Sequence, residues 1–210
     1  YVFTGEAKYG RVGAILVDRI ADVYPDMNVL PYIRYFVATE SFYMRGKAVD
    51  YIWENSNVKF MTRAYDAFFP MYDDPYVVNF LSQKAEKYKL SNPKTNGRYI
   101  RENCEDGILR EVYKSVRNGD VNGNFGMYQT SVAYAAVALD TFPETAEWLD
   151  WIFKAGAMLG SPYYDVTGGN VLNEIVDNVD RDGMTIEISP NYSAIWSNSL
   201  SSLLEALAGY

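Results

Sequence analysis

The run Ser131-Val132-Ala133-Tyr134-Ala135-Ala136-Val137-Ala138-Leu139 is apolar on every side of a helix. A helix with no polar face has to be surrounded by other elements, so the rest of the chain must supply a wrapping layer. The remaining sequence offers helices for that purpose. Val12, Ile15, Leu16, Ile20 and Val23 recur at three- and four-residue steps and stop at Tyr24-Pro25, where the proline disfavours helix in the residue before it. The pattern predicts a second helix over about 33–53 with Gly46 as its weak point, and shorter ones near 57–69 and 75–89. Asp73-Asp74-Pro75 places an acidic cap ahead of a proline at the first helical position. The stretch 91–97 reads as a loop, and Ile100, Cys104, Ile108, Val112 and Val116 form the stripe of a helix ending at Asn118-Gly119. Helices are predicted near 144–159 and 168–180, and a last one carries Leu200, Leu203, Leu204 and Leu207. Only Met184 to Ile188 alternates like a strand. The expectation is an all-α chain of about nine helices in antiparallel pairs, with fully apolar inner helices alternating with amphipathic outer ones. The 210 residues are read as a single domain.

Composition narrows the chemistry. There is no histidine among the 210 residues, which removes the commonest general base and transition-metal ligand. Nineteen Lys and Arg against 27 Asp and Glu give a net charge of -8, opposite to the basic face a nucleic-acid binder needs. Cys104 is the only cysteine, so neither an intrachain disulfide nor a multi-cysteine metal site can form. Its neighbours Glu102, Glu105 and Asp106 disfavour a thiolate, which makes it a structural residue. No apolar run is long enough to span a bilayer, and the opening at Tyr1 is read as that of a processed or excised segment. The aromatics, Tyr 19, Phe 10 and Trp 4, are numerous enough to line a cleft where rings stack on sugar faces as well as to fill a core.

Two segments carry candidate chemistry. In Asn122-Gly123-Asn124-Phe125-Gly126-Met127-Tyr128-Gln129, asparagine amides and backbone N–H groups precede a buried helix, an arrangement suited to a carboxylate. By spacing alone a cap and turn with no ligand fits better. In Asp182-Gly183-Met184-Thr185-Ile186-Glu187-Ile188-Ser189-Pro190-Asn191-Tyr192, a turn and a Ser-Pro cap lead into the last helix and leave Tyr192 in its first turn. The positive end of the helix there favours a phenolate, and an ordinary half-buried tyrosine fits the same residues.

Taken together with Glu147-Trp148-Leu149-Asp150-Trp151-Ile152-Phe153, Thr167-Gly168-Gly169-Asn170, Val17-Asp18-Arg19-Ile20-Ala21-Asp22-Val23-Tyr24-Pro25 and Tyr51-Ile52-Trp53-Glu54-Asn55-Ser56, these segments resemble the helical domain of the heparinase II/III-like polysaccharide lyases. The resemblance implies an incomplete α/α toroid, in that family usually followed by a β-sandwich domain that these residues do not include. It also implies β-elimination from uronate-containing glycans. It assigns Asn124 to neutralising the uronate carboxylate and Tyr192 to proton transfer. Tyr128, Gln129, Glu187 and Trp196 are the substrate-binding candidates around them. Related members often have a histidine where this chain has Phe125 or Tyr128. The resemblance implies no cofactor and no metal for this segment, an acidic polysaccharide or oligosaccharide as partner, neither nucleic acid nor membrane, and a secreted or periplasmic location. For a polyanionic ligand, some of Arg11, Arg34, Arg63, Lys94, Arg98 and Arg101 would have to reach the cleft. Rival readings are a non-catalytic glycan-binding helical domain and an α/α-toroid glycoside hydrolase with paired carboxylates drawn from Asp140, Asp150, Asp165 and Glu187.

Overall fold

A computed structural model describes residues 1–32, 45–49, 51–159 and 164–210. Among them the fold is all-α. The helices are α1 (Ala7–Val23), α2 (Glu54–Phe68), α3 (Pro75–Tyr88), α4 (Gly97–Cys104), α5 (Glu111–Arg117), α6 (Met127–Leu139), α7 (Glu144–Phe153), α8 (Val171–Asn178) and α9 (Pro190–Leu207). A π-helical turn, Glu105–Arg110, joins α4 to α5 without a break, so nine segments make eight helices. Two two-residue strands, β1 (Met158–Leu159) and β2 (Asp165–Val166), pair antiparallel. No described helix is long and apolar enough to cross a membrane.

Most helix boundaries follow the local signals. Asp74 caps α3, its Oδ1 accepting from the N–H groups of Tyr76 (2.9 Å) and Val77 (3.3 Å), with Pro75 at the first helical position. Arg11 grips the same carboxylate through Nε and a terminal nitrogen, and that contact holds Asp74 below the usual carboxylate range. Asn96 caps α4 through the Tyr99 N–H. Three expectations need correction. The helix over 33–53 falls largely outside the described residues; of its described parts, Tyr51–Trp53 is a 3-10 turn, but 45–49 is a loop, where the N–H groups of Ala48 and Val49 both donate to Glu54 Oε2 at 2.8 Å. A buried carboxylate that needs donors has captured this backbone from the helix. The helix begun at Glu144 stops at Phe153, where the chain turns into β1. Met184–Ile188 is a turn with one bridge, Val179 to Thr185, because Ile188 takes a left-handed backbone (φ 49°).

The described chain forms two compact units, residues 1–27 with 60–111 and residues 28–59 with 112–210. Unit 1 is built on α1, α3, α4 and the π turn. Ala14, Val17, Ala21, Val77, Leu81, Ala85, Ile100, Cys104, Ile108 and Leu109 form its buried core. Gly107 lets the π turn approach α1, since a Cβ there would strike the backbone of Ala21. Burial pushes the Cys104 thiol well up, as expected of a structural cysteine. At one edge of this core lies a charge cluster that composition does not reveal. Lys94, 1% exposed, places Nζ 2.6 Å from both Asp18 Oδ2 and Asp22 Oδ1, and Asn103 Nδ2 donates to both carboxylates at 3.0 Å. Desolvation outweighs the nearby ammonium at Asp18 and raises its carboxyl to about 6. Three of the other arginines considered for a cleft are paired on the surface instead: Arg11 with Asp74, Arg98 with Glu102, and Arg101 with Asp73.

In unit 2, α6 is the centre. Val132, Ala133, Ala135 and Ala136 are fully buried, and each buried valine or leucine contributes about 1.5–3 kcal/mol. α7 reaches α6 through Thr145, whose Oγ1 donates to Ala136 O at 3.0 Å. α9 reaches it through Thr130, whose Oγ1 donates to Ser199 O at 2.9 Å. Trp148, Trp151, Trp196 and Leu203 complete the apolar cover.

The Lys94 cluster makes two predictions. Lys94→Met strands two carboxylates, and the expected loss at pH 7 is about 3–5 kcal/mol in urea unfolding. The Asp18 carboxyl is raised from 3.8 to about 6, so between those values the folded state holds a proton that the unfolded chain has released. The stability that Asp18 contributes therefore falls as pH rises from about 4 to about 6 and is constant above. The wild-type minus Asp18→Asn difference should show that fall, and a difference flat with pH would contradict it.

Candidate functional site

Unit 2 contains a cleft of about 270 Å³ at the N-terminal end of α6. Asn122, Gly123, Phe125 and Tyr128 form one side, and Gly156, Met158, Gly168, Asn170 and Glu174 the other. It therefore brings together two of the segments singled out in the sequence, 122–129 and 167–170.

The first wall is set by buried hydrogen bonds. Asn55, 3% exposed, donates from Nδ2 to Asn122 O, and its Oδ1 accepts from Ser131 Oγ at 2.7 Å. One amide thus ties the loop to both α2 and α6. Asn122 turns its own Oδ1 back onto the Gly123 N–H. Gly126 has φ 88°, and a Cβ there would meet Ser199, so only glycine lets the loop enter α6 this close to α9. Gln129 closes the turn. Its Oε1 accepts from the Gly126 N–H (2.9 Å) and its Nε2 donates to Gly169 O (2.8 Å).

The second wall folds back on the end of α7. Gly169 N–H donates to Trp151 O and Asn170 N–H to Lys154 O. A Cβ on Gly156 would strike the backbone of Gly168, and one on Gly168 the carbonyls of Lys154 and Ala155. Asn170, in a left-handed conformation (φ 58°) at the start of α8, accepts from Gly156 N–H and donates to Glu174 Oε1 at 2.9 Å. Asn178 holds the other carboxylate oxygen. Glu174 is the only charged residue in the described lining.

The predicted site residues divide clearly. Tyr128 lines the cleft, its ring 6.5 Å from that of Trp151. Gln129 is fully buried with both ends of its amide engaged, so it frames the cleft from behind. Trp196 is buried against Phe125 at a ring separation of 4.7 Å, one layer behind the wall. Glu187 is exposed in the turn before α9 and Tyr192 is 48% exposed in the first turn of α9; neither is in the cleft lining. Asn124 is half-buried between two lining residues and does not itself line the cleft. Its amide and the Tyr192 hydroxyl have no hydrogen-bond partner among the described residues. Their segments meet through the Phe125–Trp196 contact, with Tyr192 one helical turn before Trp196. The rival carboxylates do not converge here: Asp140 accepts from the Tyr210 hydroxyl and Asp165 pairs with Arg117. The sequence reading missed Glu174. Asn170 was visible only as part of a quoted segment, and the signal for both was an Asn-x-x-x-Glu spacing that sets the two on one face of α8.

Gln129 offers a direct check on this frame. Gln129→Met keeps the volume but leaves the Gly126 N–H and Gly169 carbonyl buried and unpaired, for an expected loss of about 2–4 kcal/mol in chemical denaturation. A loss within experimental error would show that water replaces the amide. Comparison with protein-family models, with curated protein sequences and with solved structures returned no match.

Proposed function

We propose that this chain is the helical domain of a polysaccharide lyase that cleaves uronate-containing glycans by β-elimination, with Asn124 neutralising the uronate carboxylate and Tyr192 moving protons. The observation that carries the reading is the state of Asn124. The side chains of Asn122 and Asn170 are engaged, whereas the half-buried Asn124 amide beside the cleft has no described partner. An amide that is partly open to solvent and engaged by no described protein group is available to a ligand that offers it an acceptor.

The chemistry follows from the substrate. The proton at C5 of a uronate is weakly acidic because the adjacent carboxylate already carries charge. An amide hydrogen bond to that carboxylate stabilises the enolate-like intermediate more than the ground state, and so speeds proton removal. Tyr192 then accepts that proton or donates one to the departing oxygen, both of which require approach to about 3 Å in the bound complex.

The proposed architecture is an incomplete α/α toroid. Contacts between α6 and α7 run in opposite directions, with Ala136 opposite Thr145 and Tyr128 opposite Trp151. Contacts between α6 and α9 run in the same direction, with Phe125 opposite Trp196, Thr130 opposite Ser199 and Asp140 opposite Tyr210. Inner helices that run parallel, each with an antiparallel outer partner, have this pattern. The proposed setting is secreted or periplasmic, where polymeric glycans are met.

A second reading has its own support. Glu174, held by Asn170 and Asn178, suits sugar hydroxyls better than a carboxylate, as in a glycan-binding domain without catalysis. Incubating the protein with a panel of uronate glycans and following the ultraviolet absorbance of the unsaturated product separates the two. The lyase reading expects that signal, and expects Asn124→Ala and Tyr192→Phe each to lower kcat by about 10²-fold or more with the fold intact. Binding of glycan without any unsaturated product would favour the second reading, and normal turnover in either variant would overturn the residue assignment.

A further inference from the structure

Unit 1 holds a larger cavity, about 580 Å³, between α1 and α3, within the size range of small-molecule sites. Its body is apolar: Leu16 from α1, Phe80, Leu81 and Tyr88 from α3, and Leu90 just beyond. Leu16 is 58% exposed and Tyr88 60%, so these walls face solvent.

The polar end has two parts. On the floor, Asp18 and Asp22 share the Lys94 ammonium and the Asn103 amide, which leaves one negative charge there when both are ionised. At the rim stand Arg19 and Lys84. Lys84 forms no ion pair with any described residue, and its Nζ lies 5.3 Å from the Phe80 ring centroid and 5.8 Å from that of Tyr88. Arg19, mostly exposed, pairs with Asp22 at 3.9 Å and answers the remaining negative charge, which leaves Lys84 in excess. Three cations against two acids line this cavity in a chain of net charge -8. The charge left unanswered at the mouth is therefore positive.

We propose that this cavity binds an amphipathic anion, an organic carboxylate or sulfate whose apolar body lies against Leu16, Phe80, Leu81 and Leu90 and whose head meets Lys84 and Arg19. A sugar would set most of its hydroxyls against Leu16, Phe80, Leu81 and Leu90, which offer no hydrogen bonds. A cationic amphiphile would bring its head to Lys84. The assignment is independent of the lyase reading.

Three probes with one tail test it: decanoate, 1-decanol and decyltrimethylammonium, each titrated calorimetrically into the full chain below its aggregation concentration. Saturable binding is expected, tightest for decanoate. Lys84→Glu should weaken decanoate by about tenfold and narrow or reverse the preference over the cation. Leu16→Asp, at an exposed position, should abolish uptake of decanoate. Leu204→Asp, at a 69% exposed position in unit 2, should leave it unchanged. Absence of saturable uptake, equal affinity for the three heads, or decanoate binding unaltered by Leu16→Asp would each overturn the proposal. So would a wild-type dimer that takes up no decanoate and that Leu16→Asp converts to monomer, since the groove would then be an interface between copies.

Discussion

Burial of most of α6 is the constraint on which unit 2 depends. Val132, Ala133, Ala135 and Ala136 are fully buried, whereas Tyr134, Val137 and Ala138 are half-buried, so neighbours must pack around most of the helix and its buried polar groups must find partners inside. Ser131 donates to Asn55, Thr130 to the carbonyl of Ser199, and Gln129 bonds Gly126 and Gly169. These three consecutive residues fasten α6 to α2, to α9 and to the segment after α7. The cleft lies where that fastening is densest, and its walls are the loops so held.

Unit 1 is organised differently. Its core is also apolar, but the loop before α4 is fixed to α1 by Lys94 reaching two carboxylates and sharing them with Asn103. Such a cluster is costly to desolvate and depends on every member being present. Its value lies in register, because only one placement of the 89–96 loop lets a single ammonium touch both Asp18 and Asp22. Leu90, four residues before that lysine, thereby becomes a wall of the α1–α3 cavity, so the buried ion cluster and the apolar pocket have one cause.

Local signals were legible where local chemistry decides. The Asp74-Pro75 start of α3, the Asn118-Gly119 stop after α5 and the all-apolar α6 could be read directly, because caps, breakers and periodicity act within a few residues. The loop before α2 could not. Its backbone answers to Glu54, a buried acid whose demand for donors has no sequence pattern. Met184–Ile188 alternates like a strand yet has, among the described residues, no partner strand beyond one bridge, and alternation alone cannot supply one. At the candidate site, the sequence placed Gln129 and Trp196 near the chemistry by their position along the chain. Which side of the wall each occupies depended on what Gly169 and Phe125 present to them, contacts separated by many residues in the chain.

The sign of charge at the two sites bears on how a uronate could be handled. No cation is among the described lining of the unit 2 cleft, and Glu174 is an acid. Developing negative charge on a substrate there would have to be met by dipoles, which are effective only when their orientation is fixed before the substrate arrives. The walls meet that condition, because Asn122 is locked onto Gly123, Asn170 onto Gly156 and Glu174, and the backbone of 167–170 onto the end of α7. Asn124 lies in the chain between the lining residues Gly123 and Phe125, with its amide unengaged among the described residues. On the proposed reading, a neutral amide there would stabilise a carboxylate as it gains charge without a cation's strong hold on the ground-state anion, and stabilisation confined to the transition state is the kind that raises kcat.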